Sequence, residues 1–440
     1  MVGFIIEKYI LNNNLCYNSN RIPPDKDKMT KINLASQIEE QLPAELVAFI
    51  QRAGKTAASQ GKGLYLVGGA VRDLLLGQTN FDLDFVVEGN AIELAQHLAE
   101  INQGKITTHH RFNTAKLQWD KWSADLATAR SETYARPGAL PTVTPGSITD
   151  DLFRRDFTIN AMAIELDPGR YGELIDRYKG RDDLEHKLIR VLHDKSFIDD
   201  ATRIWRGLRY EQRLDFQLEP ATLNLLKRDI PILNTISGDR IRYELECILR
   251  EVHPEKVLRR AEELGVLPKL SPSLKGNGWL AEKFEQARRV SSPNPPPPGL
   301  YLALIVYHLT NEETGALISF LRLPKALAQA LRDTIDLKAK LPVLADPEIR
   351  PSRIYHILHS YNPTAITANS LACEPAVARQ HIQLFLKKLR YVKPALTGGD
   401  LKRMGIAPGP RMKEILKRLH DARLDGEVTS KEGEVELVKG

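Results

Sequence analysis

The chain has 440 residues, and compact domains run ~100–200 residues, so two to four folding units are expected. Hydrophobic residues make up 42% and charged residues 27%, which excludes a disordered polymer, and no run of ~18 apolar residues offers a membrane-spanning helix. The 62 basic and 56 acidic residues leave a net charge of +6, a mild excess that permits a polyanionic partner without requiring one.

The N-terminal 20 residues lack a basic stretch followed by an apolar one, so no secretory signal is expected. An internal Met29 precedes the first amphipathic stretch, and residues 1–28 are expected to be a disordered extension. Cys16, Cys247 and Cys373 are too few and too scattered for a disulfide framework or a zinc site, which points to a reducing, cytosolic setting.

Residues 42–60 have helical apolar spacing. Residues 64–67 read as a strand ending in Gly68-Gly69, and residues 71–76 as a helix. Residues 81–87 alternate with period two, placing Asp82 and Asp84 on one strand face. A helix over 91–101 and strands over 106–108, 115–118 and 124–129 follow. This order predicts an α/β head on a small mixed sheet. Residues 131–150, rich in Pro, Gly, Ser and Thr, are expected to form a long functional loop. Beyond Asp151 the chain reads as mostly helical, interrupted by the proline run at 291–299. The segment 387–423 carries 11 basic and 3 acidic residues, a local +8.

Three constellations carry chemistry. In the first, Gly68-Gly69 between strand and helix lets a phosphate approach the backbone, where helix N–H groups and Arg72 would meet it. Asp82 and Asp84 offer the hard oxygens that divalent cations need for in-line phosphoryl displacement, and Asp125 is the candidate third carboxylate. An Asp-X-Asp or a Gly-Gly alone is a solvated strand edge or a turn; their combination points to a site. In the second, residues 150–163, Arg154 and Arg155 would pair with triphosphate oxygens, Asp156 would orient them, and Asn160 would reach a ribose or hold a turn. In the third, Asp199, Asp200 and Arg203 with Arg206 and Arg209 form a helical stripe, with Ile204, Trp205 and Leu208 facing a core. Each of the last two constellations alone would read as a capped helix with surface ion pairs. His193-Asp194 and His109-His110 read as solvated polar residues.

In this order the motifs resemble the class II tRNA nucleotidyltransferases, the CCA-adding enzymes and bacterial poly(A) polymerases of the DNA polymerase β superfamily. The resemblance runs from about Leu64 to the C-terminus. It implies an α+β head of the DNA polymerase β-like nucleotidyltransferase type over residues 29–166. An all-α neck over 167–290, a Pro-rich linker over 291–299, and a helical body with a basic tail over 300–440 would follow. By resemblance, Asp82 and Asp84 bind two Mg2+ ions, and Gly68, Gly69, Arg72 and Arg155 contact the nucleotide. Asp200 and Arg203 read its base, with Arg206 and Arg209 at or near its phosphates. The family motif usually begins Glu-Asp; here it begins Asp199-Asp200.

A carboxylate accepts from the amino group that C and A share and repels the carbonyl of U and G, while an arginine donates to their ring nitrogen. The glycine/proline turn of residues 396–419 would clamp RNA backbone through Lys402, Arg403, Arg411 and Lys413. The expected activity is addition of CCA to the tRNA 3′ end from CTP and ATP. CC-only, A-only and poly(A) addition share the same residues. A non-catalytic RNA-binding relative is the alternative of another class; the two metal aspartates oppose it. Neither a membrane nor an obligatory protein partner is expected.

Overall fold

Strands β1 (Gly63–Val67) and β2 (Leu83–Glu88) are the centre of the head, and their alternation decides what each face meets. A computed structural model describes residues 32–439; the expected extension over 1–28 and Cys16 lie outside the described residues. With β3 (Lys105–His109), β4 (Thr114–Trp119), β5 (Trp122–Thr128), β6 (Arg130–Thr133), β7 (Thr142–Pro145), β8 (Ala163–Glu165) and β9 (Leu174–Ile175), the chain builds a seven-stranded mixed sheet and a separate hairpin. The large sheet has the order β3-β4-β5-β2-β1-β8-β9, and β2 with β5 is its parallel pair.

Helices Ala44–Ser59 and Ala91–Asn102 cover one face. There Phe49 stacks on Trp119 with ring centroids 4.0 Å apart and tilts against Phe85. On the other face Val86, Tyr65 and Val67 pack with Ile148 and Leu152 of helix Ile148–Phe153. Asp84 shares the face of Val86, so this helix covers the strand beside the carboxylate.

Two expectations change here. The chain past Asp151 is mostly helical as expected, but β8 and β9 first complete the sheet beside β1. Ala161–Met162–Ala163–Ile164 is buried throughout, and a short apolar run without periodicity suits a central strand as well as a helix. The segment 131–150 is not an open loop. β6 and β7 pair from Arg130↔Pro145 to Thr133↔Thr142, and Ser147 opens the following helix with a capping box.

Two compact units emerge. Among the described residues, the first comprises 32–133 and 142–186, and the second comprises 134–141 and 187–439. The second is helical apart from a small parallel pair, β10 (Leu188–Ile189) with β11 (Gln217–Leu218). Its helix Thr202–Leu214 buries Ile204, Trp205 and Leu208, as the periodicity predicted. The expected single stripe from Asp199 to Arg209 is interrupted, however. Asp200 adopts extended φ −142°, ψ 97° between helices Ser196–Asp199 and Thr202–Leu214. Its carboxylate accepts from the Thr202 N–H at 2.9 Å and the Thr202 hydroxyl at 2.6 Å, which starts the second helix and ends the first. The proline run joins helix Gly278–Ser291 to helix Pro298–Ile305 within the second unit.

Candidate active site

The parallel register of β2 and β5 sets Asp84 opposite Asp125. Asp82 stands just ahead of β2, and its backbone N–H donates to Asn80 Oδ1 at 2.9 Å. Asp84 keeps solvent access, yet the protein around it displaces enough water to push its carboxyl up to about 6; Arg155 opposes this, while Asp125 and Asp82 add like charge. Asp125 pairs with Lys116 at 3.1 Å, with both side chains about half exposed. Among the described residues no three His, Cys, Asp or Glu side chains are gathered to hold an ion by themselves. The donors still fit Mg2+, which takes one or two protein carboxylates and completes its shell with water and nucleotide phosphates. A crowded carboxylate with raised pKa also favours an added cation.

The glycine turn belongs to this site. Gly68 has φ +71°, a backbone conformation that favours glycine, and a Cβ there would stand 2.9 Å from Arg155 Nη1 and displace the guanidinium. Arg155 Nη2 donates to Asp151 Oδ2 at 2.9 Å, and its buried Nε has no hydrogen-bond partner, which leaves donors for an anion beside the turn. Asp151 is fully buried; burial would raise its pKa, but Arg155 and Arg154 outweigh this and hold it low.

Arg154, expected at a triphosphate, is tied to Asp151 at 2.7 Å and Glu132 at 3.1 Å. Arg72 is turned inward, only 3% exposed. Its Nε and Nη2 donate to Asp73 and its Nη1 donates to Asn160. Asn160 donates in turn to Asp156 at 3.0 Å, so it holds buried structure.

In the helical unit Arg203 is buried and donates to Ser196 Oγ at 2.6 Å. Asp200 Oδ1 also takes Arg240 Nη2 at 2.7 Å. Arg206 is half-buried, and Arg209 lies 3.5 Å from Glu251 and 3.8 Å from Glu244. His193 is not simply solvated: burial, with Arg203 and Lys195, pushes it down to about 4, and it sits 3.9 Å from Asp199. Sequence reasoning missed Arg240 and Asn80. It also passed over Asp151, whose i+3 and i+4 spacing to the two arginines was a readable signal.

At the C-terminal end, helices Gly398–Arg403 and Pro410–Asp425 enclose Leu401, Met412 and Leu419. Lys402, Arg403, Arg411 and Lys413 are all exposed. Arg403 pairs with Asp400 at 2.6 Å. The other three form no ion pair among the described residues.

Comparison with known proteins matches these features. The family profile described as the poly A polymerase head domain matches residues 64–190. That described as the probable RNA and SrmB-binding site of polymerase A matches residues 215–276. The A-adding tRNA nucleotidyltransferase of Geobacter sulfurreducens is 33% identical over 91% of this chain, which spans 47% of that relative, about half its length. The A-adding tRNA nucleotidyltransferase of Halalkalibacterium halodurans is 32% identical over 92% of this chain and 95% of the relative. The CC-adding enzyme of Deinococcus radiodurans is 31% identical over 91% and 93%. The Thermotoga maritima CCA-adding enzyme complexed with tRNA superposes with a TM-score of 0.75 at 31% identity, over 93% of this chain and 98% of that one. By profile, sequence and fold, the chain belongs to the family of tRNA nucleotidyltransferases and poly(A) polymerase-type head domains.

Proposed function

We propose that the chain adds nucleotides to the tRNA 3′ end without a nucleic-acid template, using CTP and ATP. The observation that supports this most is the head arrangement: Asp84 in register with Asp125, Asp82 just ahead, and Arg155 over the glycine turn. In this reading the 3′-hydroxyl attacks the nucleotide α-phosphate and pyrophosphate leaves. Arg155 holds phosphate oxygens through Nη1 and Nε, and Gly68 and Gly69 let them approach the backbone. Asp82 and Asp84 would hold Mg2+, which would supply positive charge to the attacking hydroxyl and the leaving pyrophosphate. Asp125 adds a further carboxylate at the β5 position.

In the helical unit Asp200 and Arg203 read the base. The Asp200 bonds from Thr202 and Arg240 all end on Oδ1, which leaves Oδ2 for the amino group shared by C and A. Arg206 and Arg209 add positive charge along the same helix as Arg203.

Full CCA addition is the expectation from the sequence. Addition of the terminal A alone is the second reading, favoured by the A-adding relatives aligned over nine-tenths of the chain. The test uses two tRNAs, one lacking all three terminal nucleotides and one ending in CC, with CTP and ATP singly and mixed. A CCA-adding enzyme extends the first by CCA. An A-adding enzyme extends only the second, by one A. Unlimited A tracts, or equal incorporation by Asp84→Ala, would overturn both.

A further inference from the structure

We propose that Asn80 is a positioning residue for the first metal-binding carboxylate, joining Asp82 to a buried polar chain that ends at Asp156. The inference rests on the reading of Asp82 as a metal ligand. β2 begins at Leu83, so no strand ladder fixes the backbone of Asp82. What holds it is the Asn80 side chain, whose Oδ1 accepts from the Asp82 N–H at 2.9 Å. Asn80 is itself held from behind, because its Nδ2 donates to Asp73 Oδ2 at 2.7 Å.

From Asp73 the chain runs inward. Asp73 accepts from Arg72 Nε at 2.7 Å and Nη2 at 3.0 Å, and Arg72 Nη1 donates to Asn160 Oδ1 at 2.7 Å. Asn160 Nδ2 donates to Asp156 Oδ1, which also accepts from the Phe157 N–H at 2.8 Å. Arg72, Asp73, Asn160 and Asp156 are each no more than 5% exposed. Buried polar groups leave their partners only at a large cost, so the chain is stiff and its outer end is fixed. Asn80, half-buried, passes that rigidity to a turn that would otherwise place Asp82 loosely. Metal sites need their ligands held within about 0.5 Å, and removing an outer partner typically costs ~10–100-fold in metal affinity. Arg72 thereby acts on the site through Asp73 and Asn80.

The test compares the full-length protein with Asn80→Ala, Asn80→Ser and Asp82→Ala. Mn2+ binding is measured by electron paramagnetic resonance, and kcat as a function of Mg2+ is measured with tRNA and nucleotide. Asn80→Ala should weaken Mn2+ binding and raise the Mg2+ requirement by about tenfold, with KM for tRNA unchanged. Asn80→Ser keeps an acceptor for an N–H two residues on and should recover part of the loss. Wild-type Mn2+ affinity in Asn80→Ala, beside weakened binding in Asp82→Ala, would overturn the proposal and leave the metal reading standing. Wild-type affinity in Asp82→Ala as well would overturn the metal reading itself. A lowered melting temperature with unchanged ion binding would make Asn80 merely structural.

Discussion

Asp199 shows how much the setting of a single carboxylate decides. Burial pushes it up to about 6, Arg203 and Lys195 pull it back, and Asp200 adds like charge. His193, 3.9 Å away, is pushed down to about 4 by the same burial and the same two cations. Both groups therefore lean towards their neutral forms. The signs are opposite in their effect on stability. An aspartate titrates near ~3.9 in the unfolded chain, so the folded state binds the Asp199 proton more tightly. That advantage is complete below about pH 4 and lost as pH rises to about 6. For His193 the advantage is complete above its unfolded value of ~6.5 and is lost as pH falls towards about 4. Asp199→Asn should therefore raise the melting temperature at pH 7 by roughly 1–2 °C, with the gain vanishing near pH 4. Calorimetry across that range checks it, and a gain independent of pH would mean that ionisation is not its source.

At the scale of elements, helix Thr202–Leu214 carries Arg203, proposed above to read the base, and the core residue Trp205, which is 1% exposed. Trp205→Ala should destabilise the helical unit by about 3–5 kcal/mol, read as an earlier denaturant transition. A shift below ~1 kcal/mol would show that the helix is held by other contacts. This helix was legible because Ile204, Trp205 and Leu208 recur at helical spacing, as β2 was from alternation and β1 from a short apolar run ending in glycines. β8 was not, because a strand buried on both faces has no polar side to mark its period. Nor was the hairpin of β6 and β7, where Thr142–Val143–Thr144 is a strand-forming stretch hidden among prolines. The site divides in the same way. Asp84 and Asp125 were readable as strand carboxylates and Arg155 from its motif, whereas Asp82, expected on the same strand face, stands just ahead of β2. The partnership of Asp200 with Arg240, 40 residues apart, depends on helix packing. That of Asn80 with Asp73 depends on the geometry of one turn.

For the whole molecule the net charge of +6 conceals its placement, since the segment 387–423 alone carries +8 and the remainder sums to −2. A polyanion is therefore attracted to one end of the sequence, and the exposed cations there are not equivalent. Arg403 shares its charge with Asp400, while Lys402, Arg411 and Lys413 form no such pair among the described residues. Each phosphate contact displaces about one condensed counterion, so the slope of log affinity against log salt falls by about 0.9 per duplex contact removed. Replacing Lys402, Arg411 and Lys413 together by alanine should therefore reduce the magnitude of the tRNA-binding slope by about two to three, while Arg403→Ala alone should change it by much less than one. Filter binding at a series of salt concentrations measures both. Addition of one nucleotide at saturating tRNA should stay near the wild-type rate in the triple variant, because cations that would hold only RNA backbone would touch no reacting atom. An unchanged slope would show that the tRNA is gripped elsewhere, and equal effects of Arg403 and Lys402 would show that the Asp400 pair opens when RNA binds.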